Sequence, residues 1–266
     1  MDCVKPIGVF DSGLGGLNVL KELTKAFPGE RFIYLGDTKR FPYGQKSRET
    51  IINISKQNVE FLINKGVKLV IIACGTATSQ ALDVIKEMYN VPIIGIIEPT
   101  VLNLKNRIGF DEKRIGVIAT KGTIRSGAWE KKILEHIPKA IVINEPAPML
   151  ATMAEEGWIN NKVAEYTIKE YMKLFEEIDK LILGCTHYPL FKDLMQRELP
   201  KGVEIVDVGV ELARYLKNAN DELMNKDLNG GSYEIYLTDK DESFAISASA
   251  ILGENVNIKE IKLFEV

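Results

Sequence analysis

The sequence predicts an α/β protein of two pseudo-symmetric, doubly wound parallel-sheet domains, with its active site in the cleft between them. Three observations carry this expectation. First, short runs that are apolar on both faces alternate with amphipathic segments, the pattern of parallel strands covered by helices. Second, the chain repeats itself. IGV at 7–9 returns at 115–117, an offset of 108, and the apolar run closed by Cys74 returns as one closed by Cys185, 111 residues later. Third, polar residues stand at the ends of these runs: Asp11 and Ser12, Asp37 and Thr38, Cys74, Thr120, then Cys185, Thr186 and His187. Ligands of open α/β sheets sit beyond the carboxyl ends of the strands.

The elements follow in order. Strands are expected at 7–10, 32–35, 69–73, 93–97, 115–119, 141–144, 181–183 and 205–208. Between them, Leu17, Leu20, Leu23 and Phe27 share one helical face. Ile51, Ile54, Asn58 and Leu62 make an incomplete stripe after Ser47, a residue type suited to an N-cap. Leu82, Ile85, Met88 and Tyr89 form a third face, and Ala164, Ile168, Tyr171, Phe175 and Ile178 a fourth. Such alternation implies right-handed crossovers. The first domain is expected to hold residues 1–98 together with 208–266, and the second 99–207. The C-terminal piece contains a polar stretch at 218–231, a strand at 233–237 and a tail. It is too short to be a domain and is expected to pack back on the first.

Composition narrows the function classes. The chain has 266 residues, 45% apolar and 27% charged, enough for a substantial core. A net charge of −3 offers no basic field for nucleic acid. No run approaches the length of a membrane span, and the first strand begins too early for a signal peptide, so a cytoplasmic location is expected. Three cysteines fit a reducing compartment, and Cys3, ahead of the first strand, is expected to be incidental. There is no CxxC or HxxxH pair, so no metal site is expected.

Each motif has a plain reading beside its chemical one. DSGLGG at 11–16 lies between a strand and a helix, and its glycines leave backbone N–H groups for an anion or carboxylate. It lacks the Lys of a Walker motif and the GxGxxG spacing, and a turn with a helix cap explains it as well. FPYG at 41–44 could present Tyr43 and backbone donors, or be an ordinary turn. Cys74 or Cys185 alone could be a small core residue. Their matched addresses argue against that, and a thiol ahead of a helix is expected to have a lowered pKa. Two thiols facing each other across one carbon can remove a proton from one side and return it to the other. His187 shares a side with Cys185 if the backbone stays extended there, and could be catalytic or structural. His136 is assigned to the surface. Glu155 and Glu156 read first as solvated helix acids.

Taken in order, these motifs resemble the glutamate racemase family of the cofactor-independent aspartate/glutamate racemase group. The matching text is IGVFDSGLGG at 7–16, YLGD at 34–37, PYG at 42–44, Ala73 and Cys74 with Thr76 and Ala77, GIIEP at 95–99, TKGT at 120–123 and GCTHYP at 184–189. It covers about residues 6–209. The resemblance implies interconversion of L- and D-glutamate without a cofactor, supplying D-glutamate for peptidoglycan, and a homodimer. It implies Cys74 and Cys185 as the acid/base pair, Cys74 acting on the D-isomer and Cys185 on the L-isomer. Asp11 and His187 assist them. It also implies substrate contacts from Asp11, Ser12, Tyr43, Gly44, Gly75, Thr76, Thr186 and His187, with Thr120 and Glu155 as looser carry-overs.

The chain departs from the family text at two points. Gly75 stands where the family usually has Asn, leaving only backbone to meet a substrate. An Asn there is expected to lower KM for glutamate more than it changes kcat. Thr152 replaces the Pro often found three residues before the acid at 155. The readings set against a glutamate racemase are a racemase of aspartate or another amino acid, a cysteine hydrolase built on Cys185 and His187, and a binding or regulatory homologue without catalysis.

Overall fold

A computed structural model describes residues 5–108, 113–219, 224–225, 230–240 and 242–263. Cys3 and parts of the polar stretch at 218–231 lie outside them. The strands are β1 Ile7–Asp11, β2 Arg31–Gly36, β3 Leu69–Ile72, β4 Ile93–Gly95, β5 Arg114–Ala119, β6 Ile141–Pro146, β7 Lys180–Leu183, β8 Glu204–Asp207, β9 Ser232–Leu237 and β10 Ile258–Glu260. The α-helices are α1 Gly16–Ala26, α2 Arg48–Asn64, α3 Gly75–Met88, α4 Ile97–Ile108, α5 Lys121–Arg125, α6 Ala128–His136, α7 Pro148–Glu155, α8 Lys162–Met172, α9 Lys192–Glu198, α10 Val208–Ala219 and α11 Glu242–Leu252.

Among the described residues the strands form two sheets, ordered β10-β9-β2-β1-β3-β4 and β6-β5-β7-β8, with every pairing parallel. The internal repeat is thus a repeat of topology: β2-β1-β3-β4 and β6-β5-β7-β8 have the same order. β1 and β5 are interior strands of the two sheets, and Asp11 at the carboxyl end of β1 meets Thr186, after β7, of the other unit. Ile7 pairs with Leu69, and Ile115 with Lys180, which brings the residues after β3 and β7 to equivalent addresses. β9 pairs with β2 and carries β10 beyond it, so the C-terminal segment extends the first sheet.

Local chemistry accounts for the helices. In α1, Leu17, Leu20 and Leu23 are buried and the chain leaves the helix at Phe27. In α2, Ser47 Oγ accepts from Thr50 N at 3.2 Å, the N-cap its residue type suggests. The fourth face breaks at Met172, where the chain tightens into a 3₁₀ turn over Lys173–Phe175. Phe175 and Ile178 stay buried after that break.

Several features differ from expectation. The strand at 93–97 stops at Gly95, and Ile97 opens α4, which runs through 98/99. Pro99 sits in its first turn, where a missing N–H costs nothing. The strand at 205–208 stops at Asp207, whose Oδ1 accepts from Gly209 N at 2.9 Å and starts α10. The tail contains β10, a three-residue strand too short for a periodic signal. His136 is half-buried against α6's surroundings, not on the surface. No helix among the described residues is long and apolar enough to cross a membrane.

Candidate active site

Cys74 caps the N-terminus of α3 directly after β3, and Cys185 follows β7. Both are free thiols, 4% and 5% exposed. The shared topology explains the pairing of addresses: each sulfur stands at the carboxyl end of the strand next to its sheet's central strand.

The surroundings of the two thiols differ. Cys74 Sγ lies 3.8 Å from Ser12 Oγ. Its pKa is pushed up, first by burial and then by the charge of Asp11, while N–H of Ala77 and the Ser12 hydroxyl oppose the shift. This overturns the expected lowering. The first turn of α3 does favour a thiolate, but removal from water outweighs it. Cys185 Sγ lies 3.7 Å from His187 Nδ1. The backbone at His187 is helical, φ −79° and ψ −25°, not extended, so a turn and not strand alternation brings the imidazole back over the sulfur.

His187 is held from its other nitrogen. Nε2 stands 2.6 Å from Glu155 Oε1 and 3.2 Å from Gly15 N. One nitrogen cannot donate to Glu155 and accept from Gly15 at once; the shorter contact, to a carboxylate, assigns its proton toward Glu155. Burial works against the imidazolium, yet contacts with Cys185 and Glu155 outweigh it and hold the His187 pKa well above its ordinary value. The ring packs against Phe41, centroids 5.6 Å apart. Glu155 also accepts from Leu14 N at 2.7 Å, so it is not a solvated helix acid; only Glu156 remains one.

Asp11 is fully buried and bridges the two units. Its Oδ2 accepts from Gly16 N at 3.0 Å and Gly13 N at 3.2 Å, and its Oδ1 from Thr186 Oγ1 at 3.1 Å. Burial raises its pKa, with the His187 charge and these donors pulling the other way. Here the glycine loop departs from expectation. The N–H groups of Gly13 and Gly16 donate to Asp11 and that of Leu14 to Glu155, so these three are not spare donors for a substrate, while the Gly15 N–H faces the protonated Nε2 of His187 at 3.2 Å. The glycines serve close approach instead: a Cβ on Gly15 would stand 2.5 Å from His187 Nδ1, and one on Gly13 2.2 Å from Glu155 Oε1.

The remaining expected residues gather around this centre in different ways. Thr76 Oγ1 and Thr120 Oγ1 are 2.9 Å apart, joining α3 to the N-cap of α5, and Thr123 Oγ1 completes the triad of hydroxyls. Gly44 packs on Thr120, where a Cβ would meet Thr120 Cβ at 2.7 Å. Tyr43 points inward: its hydroxyl donates to Asp37 Oδ2 and accepts from Asn58 Nδ2 at 3.0 Å. Any substrate contact from this turn therefore falls to its backbone. Gly75 faces the backbone of the other unit, since a Cβ there would lie 2.2 Å from Gly184 O. An Asn cannot enter without displacing that carbonyl, which removes the ground for expecting a lower KM.

Several contributors had no role assigned to them from the sequence. Asp37 anchors the Tyr43 turn through Arg40 Nε at 2.7 Å and the C-terminal segment through Thr238 Oγ1 at 2.9 Å. Asn58 interrupts an apolar helical stripe, a signal that a buried polar partner was needed; Arg40 and Tyr43 are those partners. Asn18 Nδ2 donates to Thr186 O at 2.9 Å, tying α1 to the turn after β7. A cavity of about 400 Å³ opens beside Glu155, lined by Leu14, Phe41, Gly157 and Phe244, but neither thiol lines it. No group of three metal-capable side chains converges among the described residues.

A family model described as Asp/Glu/hydantoin racemase matches residues 7–216. The chain is 40% identical over 264 residues to a glutamate racemase from Persephonella marina, covering 98% of each. It is 40% identical to one from Aquifex aeolicus over 95% of this chain and 96% of that one. Among solved structures, glutamate racemase from Francisella tularensis in complex with D-glutamate superposes with a TM-score of 0.89 at 34% identity, covering 98% of both chains. A glutamate racemase isoform from Bacillus anthracis gives 0.91 at 32% identity over 97% of both.

Proposed function

This chain belongs to the Asp/Glu/hydantoin racemase family, and we propose that it interconverts L- and D-glutamate by passing the α-proton between Cys74 and Cys185. Racemisation of glutamate is the activity named for its relatives at about 40% identity over nearly the whole chain. The observation that carries the residue assignment is the pair of buried free thiols at equivalent strand ends, each beside its own proton-handling partner.

The step balances without a co-reactant. A thiolate on one face takes the α-proton; the C–H bond breaks and its electron pair stays on carbon. The thiol on the opposite face gives up its S–H proton to that carbon, so the product has the other configuration and the two sulfurs have exchanged protonation states. Cys74, with its raised pKa, rests as the thiol and is the proton donor of the resting enzyme. His187, protonated and braced by Glu155, faces the Cys185 sulfur and holds or returns its proton. On this assignment the enzyme at rest is poised for L-glutamate, whose proton goes to Cys185. Burial of both thiols keeps solvent protons from the carbanion-like transition state. Ser12, the Thr76 and Thr120 hydroxyls, and backbone N–H groups of Tyr43 and Gly44 are the donors assigned to the substrate carboxylates.

The reading extends to a cytoplasmic enzyme that acts without cofactor or metal and supplies D-glutamate for peptidoglycan. It includes a homodimer, supported by exposed Met149, Trp158, Val163, Tyr166 and Leu174 on and around α7 and α8. Sedimentation tests the dimer; a monomer at micromolar concentration would reject it.

The decisive experiment follows circular dichroism of D- and of L-glutamate with purified protein and no added cofactor. Run in deuterium oxide, it should place deuterium at the α-carbon of the product. Activity that depends on added pyridoxal phosphate would refute the proposal. Faster turnover of aspartate than of glutamate would move the assignment to the aspartate branch.

A further inference from the structure

Gly75 and Gly184 flank the two thiols, one position after Cys74 and one before Cys185. A Cβ on Gly75 would sit 2.2 Å from the Gly184 carbonyl oxygen and 3.3 Å from its carbon. The first turn of α3 therefore rests on the backbone of the opposite unit with no side chain between them.

Neither side of this seam can retreat cheaply. Gly184 N donates to Ile118 O at 2.8 Å, within the second sheet. A Cβ on Gly184 would meet the Trp129 indole nitrogen at 2.8 Å and Ala119 Cβ at 3.0 Å, so the chain is hemmed in from behind. Trp129 is buried, and its N–H finds no hydrogen-bond partner among the described residues. On the facing side, Thr78 N donates to Cys74 O and Thr78 Oγ1 to Ile72 O, both at 2.9 Å, which locks the start of α3 onto β3.

We propose that Gly75 is a positioning residue for the proton transfer: its missing side chain lets α3 seat on the Gly184 carbonyl, and that backbone contact sets the spacing of the two thiols. The inference rests on the two-thiol reading above. A normal carbon–oxygen contact needs roughly 1 Å more than the 2.2 Å available. Any side chain at 75 must therefore part the seam by about that much. Cys74 and Cys185, bonded directly to the two glycines, move apart with it. A misplacement of about 1 Å between reacting groups costs on the order of 100-fold in rate. Contacts that hold the substrate from Ser12 or Thr120 lie off the seam, so the loss falls on kcat.

The test compares wild type with Gly75→Ala and Gly75→Asn in both reaction directions. Both variants should lose about 100-fold in kcat, while KM changes less than about threefold. Crystal structures of Gly75→Ala and wild type should differ by about 1 Å in the separation of residue 75 Cα from Gly184 O. The double variant Gly75→Ala/Trp129→Phe makes room behind Gly184 and should recover part of the lost kcat. A merely structural glycine would not respond in this way, and if Gly75→Ala alone fails to fold, the double variant supplies the kinetic comparison. Retained kcat in Gly75→Ala, a loss confined to KM, or an unchanged separation overturns the inference. If wild type racemises no amino acid at all, the two-thiol reading fails instead, and the crystallographic comparison still decides whether Gly75 sets the seam.

Discussion

His187 Nε2 and Glu155 Oε1 lie 2.6 Å apart, and the same carboxylate oxygen accepts from Leu14 N in the other unit at 2.7 Å. One acid at the end of α7 therefore braces the imidazole beside Cys185 and fastens the glycine loop beneath it. This arrangement makes the protonation of His187 a property of two units together.

Glu155→Gln should lower the His187 pKa, because it removes a partner that raises it, while the contact with Cys185 remains. The sign for stability follows. A histidine whose folded pKa is raised adds stability below its unfolded value near 6.5, and that stability is lost as pH rises through the folded value. The variant should narrow that window and cost about 10- to 100-fold in kcat. NMR titration of the imidazole checks it; an unchanged titration contradicts the bracing role.

Cys74 should resist alkylation until well above the ordinary thiol range near pH 8.5, measured in a Cys185→Ser background. Asp11→Asn should move that pH dependence down, since the Asp11 charge raises the thiol pKa. Ser12→Ala should move it up, since the hydroxyl lowers it. A Cys74 that reacts fully at neutral pH would reject its role as the resting proton donor.

Cys74→Ser and Cys185→Ser should each reduce racemisation by 10³-fold or more, in keeping with loss of a positioned acid or base of about 10²–10⁴. Each should still exchange solvent deuterium into one enantiomer, and the two variants should prefer opposite enantiomers. The same preference in both would contradict facing thiols.

Tyr43→Phe separates a structural role from a binding one. The hydroxyl donates to the buried Asp37 carboxylate and accepts from Asn58. Its removal should destabilise the protein by about 1–3 kcal/mol in denaturant titrations. KM for glutamate should stay within about threefold. A large rise in KM with stability intact would mean that the hydroxyl reaches the substrate.

Much of the architecture is legible in the residues themselves. Runs such as LVII at 69–72 and LIL at 181–183 are apolar on both faces, and a strand covered on both sides buries them. The stripe at Leu17, Leu20 and Leu23 needs a helix. The repeat at offsets of 108 and 111 carries the pseudo-symmetry, and with it the equivalent addresses of Cys74 and Cys185. Local periodicity is a property of neighbours within a few residues, so one strand of text contains it.

The partners of each site group are not local, and only the tertiary structure decided them. Glu155 reads as a solvated helix acid until Leu14, 141 residues away, donates to it. The glycine loop reads as a set of free N–H donors until Asp11 and Glu155 take up those of Gly13, Leu14 and Gly16. Cys74 reads as an acidic helix-end thiol until burial is counted, and Gly75 as a lost contact until Gly184 is found against it. Hydrogen-bond partners, desolvation and steric fit depend on which surfaces the two units bring together. Chain spacing places a residue on an element; it does not say what lies opposite.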